Sequence, residues 1–235
     1  MCGGHDLEPL AADEFVLDTP RVRAFVNEAR GLIESSADAA EATRVLEPRF
    51  GELVREEGWL PADLQRPAPA SGMGGGIGQW LIYRAADRSL CLFSLVVPAG
   101  SVTPVHDHLA WGLVGLHRGT QDEELYLPGG GRLELLRRRS LRPGDLYALL
   151  PPTDDVHRVR TTSSEASVSI HLLANDTGCA LRHTFDEETG EARPFRSGYV
   201  NAPCADDDSS ASATSVRTSS PAVSSRARRA PVPPR

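Results

Sequence analysis

The stretch "TPVHDHLAWGLVG", residues 103–115, sets two histidines two apart inside an apolar run. In a strand, positions i and i+2 share a face, so His106 and His108 look into one space while Asp107 looks away. Two imidazoles on an interior face repel each other when protonated and waste hydrogen bonds when idle. A metal ion removes both costs, and a satisfied structural pair is the alternative. The other isolated histidines, His5, His117 and His183, have no partner at ligand spacing and read as ordinary tail, turn or surface residues.

A strand bearing such a pair needs a sheet around it. From Gln79 onward the chain breaks into short apolar or alternating runs, among them "QWLIYRA", "SLCLFSLVV", "DLYALLP", "VHRVRTT" and "SVSIHLLA". Turns such as "LPGGGR" and "LRPGD" separate them, which predicts a sandwich or barrel of many short strands. Two helices are predicted before it. Residues 17–35 place Val22, Phe25, Val26, Ala29 and Leu32 at helical spacing behind Asp18 or Thr19 as cap and Pro20 in the first turn. Residues 38–57 repeat the pattern through Ala42, Val45, Leu46, Phe50 and Leu53. "RPAPASGMGGGIG" (66–78) is rich in glycine but follows a helix and lacks a Lys-Ser/Thr ending, so it reads as a connector and not a phosphate loop.

The chain divides into a helical segment (1–65), a strand-rich domain (78–204) and a Ser/Ala/Arg/Pro-rich extension (205–235) that is too poor in apolar residues to build a core. Of 235 residues 40% are hydrophobic, and the net charge is -7 with every basic residue an arginine. The acidic balance argues against a nucleic-acid partner. No apolar run has the length of a membrane span and no basic-then-apolar leader opens the chain, so a cytoplasmic protein with no membrane partner, a monomer or weak homo-oligomer, is expected. Cys2, Cys91, Cys179 and Cys204 include no CxxC pair. Cys91 and Cys179, in or beside strand-like runs, read as small buried hydrophobes.

The glycine and histidine spacing, from Gly100 through His106 and His108 to Gly112 and Gly119, resembles the first cupin motif. A glutamate ligand usually stands where Gly112 is. "PGDLYALLPPTDDVHRV" is similar to the second motif, with Gly144, Pro151 or Pro152, and His157. The resemblance implies a mainly β fold, a cupin double-stranded β-helix (jelly-roll barrel) with N-terminal α-helices, in which His106, His108 and His157 converge on a metal. Three neutral imidazoles leave a divalent ion its full charge, which favours anionic ligands such as a thiolate at the remaining positions.

Cupins with three histidines and no glutamate include the thiol dioxygenases. Residues 18–202 resemble the cysteine dioxygenase family, and especially its bacterial 3-mercaptopropionate dioxygenase branch. Beyond the histidines, the likeness lies in "GWLP" and in "VSIHLLANDTGCALRHTFDEETGEARPFRSGYVN". It implies one Fe(II) per chain and the addition of both atoms of O2 to a small thiol, giving a sulfinate. Carried over residue by residue, Arg182 would receive a substrate carboxylate, which a guanidinium forks onto without losing its charge. Gln79 would lie near the substrate, and Ser169 with His171 would form a hydrogen-bonded chain beside the metal. The alternatives are a surface salt bridge for Arg182, a plain strand residue for Gln79 and solvent-facing polar residues for Ser169 and His171.

Strand alternation puts Ser167, Ser169, His171 and Leu173 on one face and Val168, Ile170 and Leu172 on the other. Leu173 departs from the family, which carries a tyrosine there. The cysteine–tyrosine crosslink of the animal enzymes therefore cannot form, and Tyr83, Tyr126, Tyr147 and Tyr199 are the candidates for a substitute hydroxyl. That departure keeps open a cupin dioxygenase acting on another substrate. A non-enzymatic metal-binding or small-molecule-sensing cupin is the other alternative, although no DNA-binding helix pair follows the strands.

Overall fold

Pro20 opens the first helix at a position where its missing N–H costs nothing. Thr19 caps it, its hydroxyl accepting from the Val22 N–H at 3.2 Å. The computed structural model describes residues 7–68, 72–129 and 131–204. A two-residue strand, β1 (Glu14–Phe15), precedes α1 (Pro20–Glu34). α2 (Ala39–Arg55) follows, capped by Asp38, and a single 3-10 turn lies at Ala62–Gln65. Both helices are thus a little shorter than their periodicity predicts.

The strands are β2 (Gly78–Arg84), β3 (Cys91–Val97), β4 (Val105–His106), β5 (Gly112–Arg118), β6 (Gln121–Gly129) and β7 (Arg132–Leu141). After them come β8 (Leu146–Leu149), β9 (His157–Thr161), β10 (Ser167–Leu173), β11 (Arg182–Phe185) and β12 (Ala192–Phe195). They form two antiparallel sheets of six, in the orders β1-β2-β3-β10-β5-β8 and β12-β11-β4-β9-β6-β7. Strands β3 to β10 fall into the sets 3-10-5-8 and 4-9-6-7, the interleaving of a jelly roll. The fold is mainly β, a cupin-type double-stranded β-helix with N-terminal α-helices.

The first sheet is buried on both faces, which is why its strands read as continuous apolar runs. On its outer face Trp80, Ile82, Leu92, Leu113, Val168, Ile170 and Leu172 pack against Val22, Phe25, Val26, Leu46, Phe50 and Leu53 of the helices. On its inner face Cys91, Phe93, Leu95, Val97, Val114, Leu116, Tyr147, Leu149 and Leu173 line the barrel.

Two expectations are corrected. The stretch 103–115 is not one strand: β4 ends at His106, and residues 107–111 carry the chain across to the other sheet through Leu109 at φ +52°. The Asp155 carboxylate stabilises that bend, accepting the N–H groups of His108 at 2.8 Å and Leu109 at 3.1 Å. Cys91 is a buried free thiol, but Cys179 is not: it forms a disulfide with Cys204, 25 residues away. Among the described residues no helix is long and apolar enough to cross a membrane. His5 and the extension 205–235 lie outside the described residues.

Candidate metal centre

β4 and β9 pair directly at His106 and His157, which places these two imidazoles side by side on the inner face. His108 joins them from the bend that follows β4. The three rings make a nearly equilateral triangle, with centroids 5.0, 4.9 and 4.9 Å apart, and their available nitrogens all lie within 4.8 Å of one another. All three residues are buried.

Each ring is fixed through its Nδ1. His106 donates to the Pro104 carbonyl at 2.9 Å, His108 meets Asp155 at 3.2 Å and His157 meets Glu123 at 2.8 Å. That leaves Nε2 of each free to bind the ion, the arrangement by which metal-ligating histidines are usually oriented. Burial first, then the neighbouring imidazoles, pull His106 and His108 well below the usual histidine range, so both are neutral and ready to coordinate.

The donor set fits a divalent metal ion. No carboxylate enters it, and the structure gives a steric reason. A Cβ on Gly112 would come within 2.1 Å of the Leu172 carbonyl oxygen and within 2.8 Å of Leu173 Cδ2. Leu173 itself pairs with Gly112 across the sheet and closes this side with an apolar wall. Negative charge stands one ring further out instead, at Asp155 and Glu123. Burial pushes the Glu123 carboxyl upward, but His157 and Arg139 outweigh it and hold the group down at about 2.

Sequence reasoning missed both carboxylates. Glu123 sits in "QDEELYL" and Asp155 in "PTDDVHRV", runs that read as charged surface. The alternating burial of β6, and the place of Asp155 two residues before a ligand, are the only traces they leave.

The remaining candidates also reach the interior. Ser169, His171 and Leu173 face inward and Val168, Ile170 and Leu172 outward, as strand alternation predicts. His171 stacks on Phe93 at 4.6 Å, shares a hydrogen bond with Ser169 through Nε2 at 2.9 Å, and lies 6.4 Å from the His108 ring between centroids. Its Nδ1 is buried with no partner among the described residues. Gln79 pairs with Leu95, which pairs with Ser169. It therefore faces inward two strands away, about 10 Å along the sheet, and its buried Nε2 is likewise unpartnered.

Arg182 is no surface salt bridge: it is 1% exposed and has no carboxylate in an ion pair among the described residues. It donates to the Thr177 carbonyl at 3.2 Å, the Asp107 carbonyl at 2.6 Å and the Ser197 hydroxyl at 2.8 Å, with the Phe195 ring 4.4 Å from its guanidinium carbon. Burial draws it down to about 10. Of its five N–H donors two remain, one on each terminal nitrogen.

His183 stands outside the histidine triad. It binds Asp107 through both its backbone N–H and its ring, which confirms that Asp107 faces away from the metal ligands. Of the four tyrosines, Tyr83, Tyr126 and Tyr199 spend their hydroxyls on Asp13, Glu124 and Asp176, whereas the buried Tyr147 hydroxyl, which lies near Glu123, has no hydrogen-bond partner at ordinary distance among the described residues.

No family model matches the chain. Solved structures similar to it include a cupin-2 domain from Rhodospirillum rubrum, at 16% identity over 42% of this chain and 59% of that one, with a TM-score of 0.33. A cupin with a double-stranded β-helix fold from Methanocaldococcus jannaschii matches at 12% identity over 44% and 84% of the two chains, TM-score 0.34. An oxalate oxidase matches at 13% identity, TM-score 0.32, over 39% of this chain and 45% of its own, so the likeness spans less than half of that protein.

Proposed function

We propose that this chain is a mononuclear non-haem iron(II) thiol dioxygenase that converts a small thiol carboxylate and O2 to the corresponding sulfinate. The observation that carries this reading is the pairing of an all-imidazole triad with a fully buried arginine that has no carboxylate partner. Asp107 and Asp155 act on this guanidinium only from beyond ion-pair distance, so its burial is costly and an anion arriving with the ligand would offset that cost. The two unspent N–H groups of Arg182, one per terminal nitrogen, suit the two oxygens of a carboxylate. The resemblance of residues 18–202 to cysteine dioxygenases supports the same assignment.

Held by His106, His108 and His157, the iron would supply the open coordination positions and the redox chemistry for adding both oxygen atoms to sulfur. The chain's own residues bind and orient. Arg182 anchors the carboxylate, so that the thiol end is presented to the triad without a search through orientations. His171, neutral because burial holds it well below the usual histidine range, offers Nδ1 to the ligand while Ser169 fixes the ring through Nε2. Gln79 offers its amide N–H from two strands away in the same sheet. Phe93, Leu173 and Val114 exclude water from the same wall.

The apolar Leu173 favours a second reading on the same metal, oxidation of a different small substrate. Protein loaded with iron(II) is tested in an oxygen electrode against cysteine, 3-mercaptopropionate and cysteamine, with product mass recorded. Oxygen uptake with a sulfinate product is the expected result. Uptake with another product supports the second reading, and no uptake with any thiol overturns the first.

A further inference from the structure

The inference below rests on the role given to Arg182 above. Residues 196–204 form a strap that runs along β2 and the loop before β11. Ser197 accepts from Arg182, and the Gly198 N–H donates to the Gly178 carbonyl at 2.9 Å. The Tyr199 ring lies so close over Gly178 that a Cβ there would come within 2.4 Å of it. The Tyr199 hydroxyl accepts from the Gly178 N–H at 3.1 Å and donates to Asp176 at 2.8 Å. Further along, the Val200 N–H donates to the Gln79 carbonyl at 2.8 Å, and Asn201 clamps both backbone groups of Leu81. The strap therefore touches both residues assigned to the substrate, one directly and one through its backbone.

Its far end is tied by the Cys179–Cys204 disulfide to the loop carrying Thr177, a second of the three partners of Arg182. Two of the three partners of the guanidinium, Ser197 and Thr177, thus lie on segments that this covalent bond joins. Arg84, which also holds Glu14 and Asp176, brings Nη1 to 3.5 Å from Cys179 Sγ and donates through Nη2 to the Pro203 carbonyl at 3.0 Å. A guanidinium beside a sulfur favours its departure as thiolate.

We propose that the disulfide is a redox latch that positions Arg182. Two molecules of a small thiol reduce it. The Cys179–Cys204 bond breaks, the two cysteines take up two electrons and two protons, and the two thiols leave joined as their own disulfide. Reduction frees residues 196–204, and Arg182 loses the fixed hydroxyl of Ser197. Oxidised protein is the high-affinity form for a thiol carboxylate and reduced protein the low-affinity form. Ser197 is a positioning residue, since it acts through Arg182.

The full-length iron-loaded protein is compared as purified under air and after reduction by a phosphine, with free thiols counted in each state. Reduction is expected to expose two further thiols and, in initial rates taken before the thiol substrate itself opens the bond, to raise KM for 3-mercaptopropionate about tenfold, the effect of one lost hydrogen bond to a charged group. Iron content stays the same and kcat changes less than twofold. Hydrogen exchange rises in 196–204 and 174–182 and is unchanged in the helices, and reoxidation reverses each effect. Cys204→Ser reproduces the reduced state and no longer responds to phosphine. Ser197→Ala raises KM in oxidised protein, and Ser197→Thr, which keeps the hydroxyl, restores it.

Two new thiols with unchanged KM and exchange overturn the latch, as does a rise in exchange across the whole barrel. If neither state oxidises any thiol, the dioxygenase reading falls while the latch is still decided. A local rise in exchange at 196–204 and 174–182 then upholds it and no rise overturns it.

Discussion

At position 112 the main chain of β5 lies against that of β10 with no room for a side chain. Gly112→Ala is expected to destabilise the fold by about 1–3 kcal/mol, because the obstructing atom is a backbone oxygen that cannot turn aside. Thermal melting of the two proteins measures this, and an unchanged midpoint would contradict the packing described. His157→Ala removes a ligand and should abolish stoichiometric metal retention, read by metal analysis after gel filtration. Glu123→Gln should preserve the fold yet weaken metal binding about 10–100-fold, since the carboxylate orients the His157 ring. A competition titration with cobalt(II) checks it, and equal affinities would show that ring orientation does not depend on this carboxylate. The three histidines that could hold a metal are legible in the sequence because two of them stand two apart and the third follows a glycine- and proline-marked turn. Their supports are not, because a carboxylate that reaches a ring across strands leaves no pattern along the chain.

Among the elements, the two helices serve as the outer wall of the first sheet. Phe50 of α2 is wholly buried, 6.3 Å from Phe25 between ring centroids. Phe50→Ala should therefore cost about 3–5 kcal/mol in denaturant unfolding, and a loss below 1 kcal/mol would mean the helices contribute little to holding the sheet. The outer face of β6 is instead charged. Although desolvation pushes Glu124 upward, hydrogen bonds from Tyr126, Arg158 and Arg138 hold it down at about 2. A carboxylate whose folded value lies below its unfolded one contributes stability that is present above the unfolded value, about 4.5, and is lost as pH falls toward 2. Stability should decline over that interval, and Glu124→Gln should flatten the decline in melting curves taken from pH 5 to pH 2. Alternation along β10 predicts its two faces correctly, because both are buried and the residue types still differ. The break between β4 and β5 is invisible in "TPVHDHLAWGLVG": apolar residues continue through it, and a carboxylate some 46 residues downstream stabilises the turn.

For the molecule as a whole, the sequence reading recovers the helices, the run of strands and the convergence of three histidines that could hold a metal, but treats Cys179 as a packing residue. Two cysteines 25 residues apart with no motif between them carry no sign of pairing, and the return of the chain alongside β2 brings them together. A disulfide also bears on the cytoplasmic expectation, because such bonds persist in oxidising compartments and turn over in reducing ones. In a reducing compartment the Cys179–Cys204 bond would open and close with the thiol pool.

The fit between Gly112 and Leu172 has a consequence for the protein's descent. The obstacle to a side chain at 112 is main chain, so no exchange of residue at 173 or elsewhere on β10 clears it, and the two strands would have to part. A carboxylate ligand at this position could not be recovered by a single codon change, nor by two neighbouring ones without a period of misfolding. If the three histidines hold a metal, the spacing of these two strands keeps a carboxylate at position 112 out of its reach, and change is left to side chains elsewhere in the barrel.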